Sequence, residues 1–111
     1  MRLYPGNAVL ANGKEAKVTT VSENIVLTNR SGKPRIEGIL LTDEILERLG
    51  IIYDENSEEL SHKDGTYLSL EIDDENKYRV FFWNTSIKIV RYVHEVQNLF
   101  AEFENIELEY E

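Results

Sequence analysis

The stretch Ile87 to Phe103, IKIVRYVHEVQNLFAEF, constrains the fold more than any other part of the chain, because no other segment is long and periodic enough to read as an extended amphipathic helix. Ile89, Val93, Val96, Phe100 and Phe103 recur three or four residues apart, Tyr92 and Leu99 widen the stripe, and Arg91, Glu95, Asn98 and Glu102 line the opposite side. If these apolar side chains are mostly buried, at roughly 1.5–3 kcal/mol for each large one, the helix contributes about 10 kcal/mol or more of gross burial. A stripe of that width needs a sheet to lie on. The predicted class is therefore α+β, with the long C-terminal helix packed on strands and residues 1–111 forming one domain.

The rest of the chain supplies the strands. Leu3 marks a short entry strand before a Pro5-Gly6-Asn7 turn, and Ala8-Val9-Leu10 and Glu15 to Val21 flank Asn12-Gly13, a strong two-residue hairpin signal. Ser22-Glu23-Asn24 turns the chain again, Ile25 to Thr28 reads as a third strand, Asn29 to Pro34 as a loop, and Arg35 to Ile39 as a fourth strand. Four short strands with tight turns predict a curved N-terminal antiparallel sheet of the SH3-like half-barrel kind. Leu41 to Leu49 reads as a short helix: Thr42 is an N-cap, Asp43 and Glu44 suit the first turn, Leu41 can staple onto Leu46, Arg48 suits the last turn and Gly50 closes it. Ile51-Ile52-Tyr53 extends into a sheet. Thr66 to Ile72 and Lys77 to Trp83 form a second hairpin, and the alternating Ile106 to Tyr110 suits an edge strand guarded by glutamates.

Chemistry is scarce. There is no cysteine, which removes disulfides, thiolate metal sites and cysteine nucleophiles and suits a reducing cytoplasm. No segment resembles a signal peptide or a membrane span, so a cytoplasmic protein without a membrane partner is expected, and the sequons at Asn29 and Asn84 are chance matches. His94-Glu95-Val96-Gln97-Asn98 opens like a zinc-protease motif, but Asn98 stands where the second histidine must be, and His94 reads as a flank of the packing face. Asp54 to Glu59, DENSEE, lacks the glycine of a calcium loop, that place being held by Glu59, and reads as a solvated turn. No serine has a nucleophile motif, and Gly32-Lys33 lacks the glycine-rich lead-in of a phosphate loop. No catalytic, cofactor-binding or metal-binding residue is assigned.

Two binding surfaces stay open. Of the net charge of −9, residues 1–41 carry +3, six Lys or Arg against three acids, and residues 42–111 carry −12, six against eighteen. An acidic surface repels phosphate backbones, so nucleic acid is a disfavoured partner, with a local exception at the basic loop holding Arg30, Lys33 and Arg35. The aromatic residues Tyr67, Tyr78, Phe81, Phe82, Trp83 and Tyr92 cluster in the second hairpin and at the start of the helix. Most are explained by packing; Trp83, Tyr92 and His94 are the candidate contacts to a protein partner.

Gly6-Asn7-x-Val9, Gly13-Lys14-x-x-Lys17-Val18-Thr19, Ile39-x-Leu41-Thr42-x-Glu44-Ile45-Leu46 running to Gly50, and Val93-His94-Glu95-Val96-Gln97-Asn98-Leu99-Phe100 together form a pattern covering most of the chain. On these residues the chain resembles a family of small uncharacterised proteins of phages and mobile elements of Bacteroides-like gut bacteria. The resemblance implies a bacterial or phage cytoplasm and an accessory role, and no reaction. The expected function is a non-enzymatic accessory protein binding a protein partner. The alternatives are a nucleic-acid-binding module using residues 29–35 and a small hydrolase or metal enzyme.

Overall fold

Asn12 and Gly13 turn the chain with φ of 52° and 80°, the left-handed backbone conformation that lets a two-residue hairpin match the right-handed twist of its strands. They join β1 (Ala8–Ala11) to β2 (Lys14–Ser22), antiparallel, with Val9 opposite Ala16. The structure, a computed structural model, describes residues 2–22, 25–30, 32 and 34–110. The expected turn residues Glu23 and Asn24, and Lys33 of the basic loop, lie outside the described residues. β3 (Ile25–Thr28) pairs with β2 as expected, while the fourth strand, β4 (Ile36–Glu37), keeps only two of the residues expected for it. The order β3-β2-β1-β4 puts β3 and β4 on opposite edges, so the pairings among the described residues make an open antiparallel sheet and close no barrel. Leu3, Val9, Ala11, Ala16 and Val18 form its own small buried cluster.

The first helix, α1 (Asp43–Arg48), follows its punctuation. The Thr42 hydroxyl accepts the Ile45 N–H at 3.1 Å, Leu41 and Leu46 are both fully buried, and Gly50, at φ 87°, donates its N–H to the Glu47 carbonyl at 2.9 Å.

The second sheet holds more than the expected hairpin. Five antiparallel strands run in chain order: β5 (Ile51–Asp54), β6 (Glu59–His62), β7 (Leu68–Asp74), β8 (Lys77–Phe82) and β9 (Thr85–Val90). Two of these correct the sequence reading. β6 falls just after the acidic turn, where no strand was expected, and β9 takes the first four residues assigned to the long helix. Ile87, Ile89 and Val90 are β-branched, which favours a pleated surface, and β8 offers a ladder in which Arg79 faces Ile89 and Tyr78 faces Val90. The helix itself, α2 (Val93–Glu104), begins where the Glu95 carboxylate reaches back to accept the N–H groups of Arg91 and Tyr92 at 3.0 and 3.1 Å.

Val93, Val96, Leu99 and Phe100 of α2 are buried in the main cluster with Leu41, Leu46, Ile51, Leu70 and Val80, whereas Ile89 and Phe103, the ends of the expected stripe, are substantially exposed. α2 touches β7 of the second sheet and β1 of the first, which places it between the two. The tail corrects one more expectation: residues 106–110 form no strand, and they lie along the molecule with Leu108 buried. Tyr110 stacks under the Arg48 guanidinium at 4.7 Å and donates its hydroxyl hydrogen to Glu15, strapping α1 to β2. Among the described residues no helix is long and apolar enough to cross a membrane.

Candidate functional site

Trp83 and Asn84 make the β8–β9 turn, with φ of 52° and 67°. This is the geometry of Asn12-Gly13, carried here by the bulkiest side chain available, for which the left-handed region is costly. Trp83 is also the most exposed large apolar side chain in the molecule's described part, at 65%. Its ring stacks on Tyr67 at 4.9 Å, Tyr67 meets Phe82 at 5.5 Å, and Phe82 meets Phe103 of α2 at 5.3 Å. Tyr67 and Phe103 are themselves 40% and 41% exposed, so the four rings form a continuous aromatic surface with Trp83 at its tip.

The surface is held from behind by α2. The carboxylate of Glu104 accepts two backbone N–H groups, Thr66 at 2.6 Å and Tyr67 at 2.8 Å, and the Trp83 N–H donates to the Tyr67 carbonyl at 3.2 Å. Gly65 sits against the same carboxylate; a Cβ there would lie 3.1 Å from it and 3.3 Å from the His62 carbonyl. Sequence reading named Trp83 and the aromatic cluster, but neither Glu104 nor Phe103 as members. A carboxylate that anchors amides 37 and 38 residues away leaves no local signature.

Tyr92 and His94 lie at the other end of β9, about 20 Å of strand away from Trp83 at ~3.3 Å per residue. Both are built into the fold. Tyr92 packs its ring on Gly38, where a Cβ would come within 2.6 Å, and it stacks on His94 at 5.7 Å with 12° between planes. His94 is 3% exposed, its Nδ1 is buried without a hydrogen-bond partner among the described residues, and burial pushes its pKa below the ordinary histidine value. Gln97, one turn on, is a fastener: its Oε1 accepts the Ala8 N–H at 2.9 Å, and its Nε2 donates to the Leu108 carbonyl at 2.9 Å. Asn98 accepts from the Asn7 side chain at 2.8 Å. The Gln-Asn pair thus ties α2 to the start of β1 and to the tail.

The two described cations of the basic loop make surface contacts. Arg30 donates from Nε to the Glu15 carbonyl at 2.9 Å, and Arg35 pairs with Glu37 at 2.9 Å. Of the carboxylate-rich loop, Asp54 accepts the Asn56 N–H at 2.9 Å and so closes its own turn. No group of three or more His, Asp or Glu able to hold a metal ion occurs among the described residues. The histidines work separately, His62 accepting the Asp64 N–H and packing on Phe100 while His94 packs on Tyr92. The chain matches no protein-family model, no curated protein and no solved structure.

Proposed function

We propose that the protein is a non-enzymatic accessory protein that binds a protein partner through the aromatic surface of Tyr67, Phe82, Trp83 and Phe103. One observation carries the reading: Trp83 occupies a left-handed turn position that costs a large side chain about 1–2 kcal/mol, and it stays 65% exposed even though its ring stacks on Tyr67. Strain kept at an exposed aromatic residue fits use in recognition, and tryptophan is the residue most enriched where binding energy concentrates. A phage or mobile-element setting and a cytoplasmic location belong to the same proposal and rest on the family resemblance. Against the nucleic-acid reading stands the charge of −12 over residues 42–111; a loop with three cations reaches a log–log salt slope of only about −2 to −3 on duplex DNA.

Affinity capture from the native cell with the wild type and with Trp83→Ala tests the proposal, followed by titration of the captured partner in purified form. The expected result is a partner bound at least about tenfold more weakly by the variant, which stays folded at the assay temperature although the lost stack of about 0.5–1.5 kcal/mol lowers its melting temperature. Equal affinity for both forms would overturn the assignment of this surface. A salt-sensitive complex with DNA or RNA, lost on changing Arg30, Lys33 and Arg35 to alanine, would replace it with the nucleic-acid module.

A further inference from the structure

A concave surface lies towards the β5 edge of the five-stranded sheet, away from the Trp83 turn. α1 is six residues long, about 9 Å at ~1.5 Å per residue, and it covers only part of the face on which it packs. Beyond it Tyr53, Leu60, Leu70 and Ile72 floor a groove of about 730 Å³, a size typical of binding clefts. Ile72 and Tyr53 are 63% and 55% exposed, so apolar area remains in contact with water along this groove. Asp43 and Glu47 of α1 and Glu58 of the β5–β6 turn stand around it, and no Lys, Arg or His lines it. Glu71, between Leu70 and Ile72 in β7 and opposite Arg79, belongs to the other face of the sheet. None of the ion pairs among the described residues engages the three groove carboxylates. Asp43 is held in place by the Tyr78 hydroxyl, which donates to it at 2.7 Å.

We propose that this groove docks a cationic amphipathic segment of a protein partner, whose apolar side chains cover Tyr53 and Ile72 while its lysines or arginines pair with Asp43, Glu47 and Glu58. Both halves of that chemistry are required. A purely apolar segment would strip water from three carboxylates without pairing them, and a purely polar cation would leave the exposed isoleucine and tyrosine in water. An anionic segment is repelled here, as it is by the whole of residues 42–111 at −12, whereas a cationic one is steered in. β5 has no strand on its outer side among the described residues, so an extended segment can also hydrogen-bond to its edge. The groove shares no residue with the Trp83 surface, so either site can fail without the other.

The test uses the full chain and three labelled peptides of equal length, one alternating lysine with leucine, one lysine with serine, and one glutamate with leucine. Fluorescence polarisation in physiological salt should show the lysine–leucine peptide binding at least about tenfold more tightly than either of the others. Ile72→Ser, and separately Glu47→Gln with Glu58→Gln, should each weaken it by about tenfold while Trp83→Ala leaves it unchanged. These positions are exposed, and a melting curve for each variant verifies folding. Equal binding of the lysine–serine peptide, indifference to the Ile72 and Glu47/Glu58 variants, loss on Trp83→Ala, or displacement by spermine at equimolar concentration would each overturn the proposal, the last by naming a small polycation as the occupant.

Discussion

Two hairpins in this molecule use the same turn and spend it differently. In β1–β2 the turn residues are Asn12 and Gly13, which occupy left-handed backbone cheaply, and the hairpin is locked down: Val9, Ala16 and Val18 are buried and the Ala8 N–H is bonded to Gln97. In β8–β9 the turn residues are Trp83 and Asn84, and the five residues Thr85 to Ile89 are all exposed. On the proposed reading the first hairpin is arranged to fold and the second to present a side chain. Two left-handed turns thus carry favourable residues in one place and a strained aromatic in another, as a recognition role for Trp83 requires.

The largest expected effect comes from cutting the fastener of the first hairpin. Gln97→Leu leaves the buried Ala8 N–H and Leu108 carbonyl unpaired, and should cost about 2 kcal/mol or more in urea unfolding. Amide exchange should quicken more across Ala8 to Val18 than across Leu70 to Val80; uniform quickening would show that the hairpins are not separable in this way. Next comes the turn itself. A Cβ at Gly13 meets nothing within 4 Å, so Gly13→Val isolates the backbone cost, expected at about 1–2 kcal/mol.

The mirror experiment on the other hairpin should behave oppositely. Trp83→Asn relieves strain of about 1–2 kcal/mol and loses an aromatic stack of about 0.5–1.5 kcal/mol, so the net change should stay within roughly 0.5 kcal/mol of wild type or improve on it. A loss well beyond 1.5 kcal/mol, roughly the whole worth of the stack, would mean that Trp83 is structural and that the contrast between the hairpins fails.

The mildest probe is pH, acting just past the second hairpin. His94 has a lowered pKa in the fold, chiefly through burial, with Glu95 and Lys88 nearby pulling in opposite directions. As pH falls below its unfolded value of about 6.5, the unfolded chain takes up a proton that the folded one resists. Stability is therefore fully present above that pH and declines below it until the folded pKa is passed. His94→Leu should flatten that slope between about pH 6.5 and 5; a variant with an unchanged slope would place the titration elsewhere.

These contrasts also explain what could be read in advance. Asn12-Gly13, Thr42 and Gly50 act through neighbours within a few residues, and each does in the fold what its type and position predict. Ile87 to Val90 deceived because I-K-I-V both alternates and continues the stripe of Val93 and Val96; the choice was made by β8, a partner in space, and by Glu95 starting the helix two residues past the strand. β6 has one buried apolar residue, Leu60, and exists because β5 and β7 lie on either side of it. Residues 106–110 carry a strand's alternation with no strand beside them, and Gln97 takes the Leu108 carbonyl instead. At the aromatic surface the rings were visible as composition, whereas their order, and the Glu104 carboxylate behind them, depend on α2 ending against Gly65.

The Gln97–Asn98 fastener also sets a schedule. Asn7 and Ala8 find their partners 91 and 89 positions further along the chain. A ribosome adding about 5–20 residues per second delivers α2 roughly 5–18 seconds after β1, and the tail that Gln97 also holds later still. For that interval the first hairpin can pair, since its turn is local, but it has nothing to dock on, and its Ala8 amide stays in water. Newly made chains therefore pass through a stage in which a finished hairpin hangs loose, and the molecule closes only when its last helix leaves the exit tunnel.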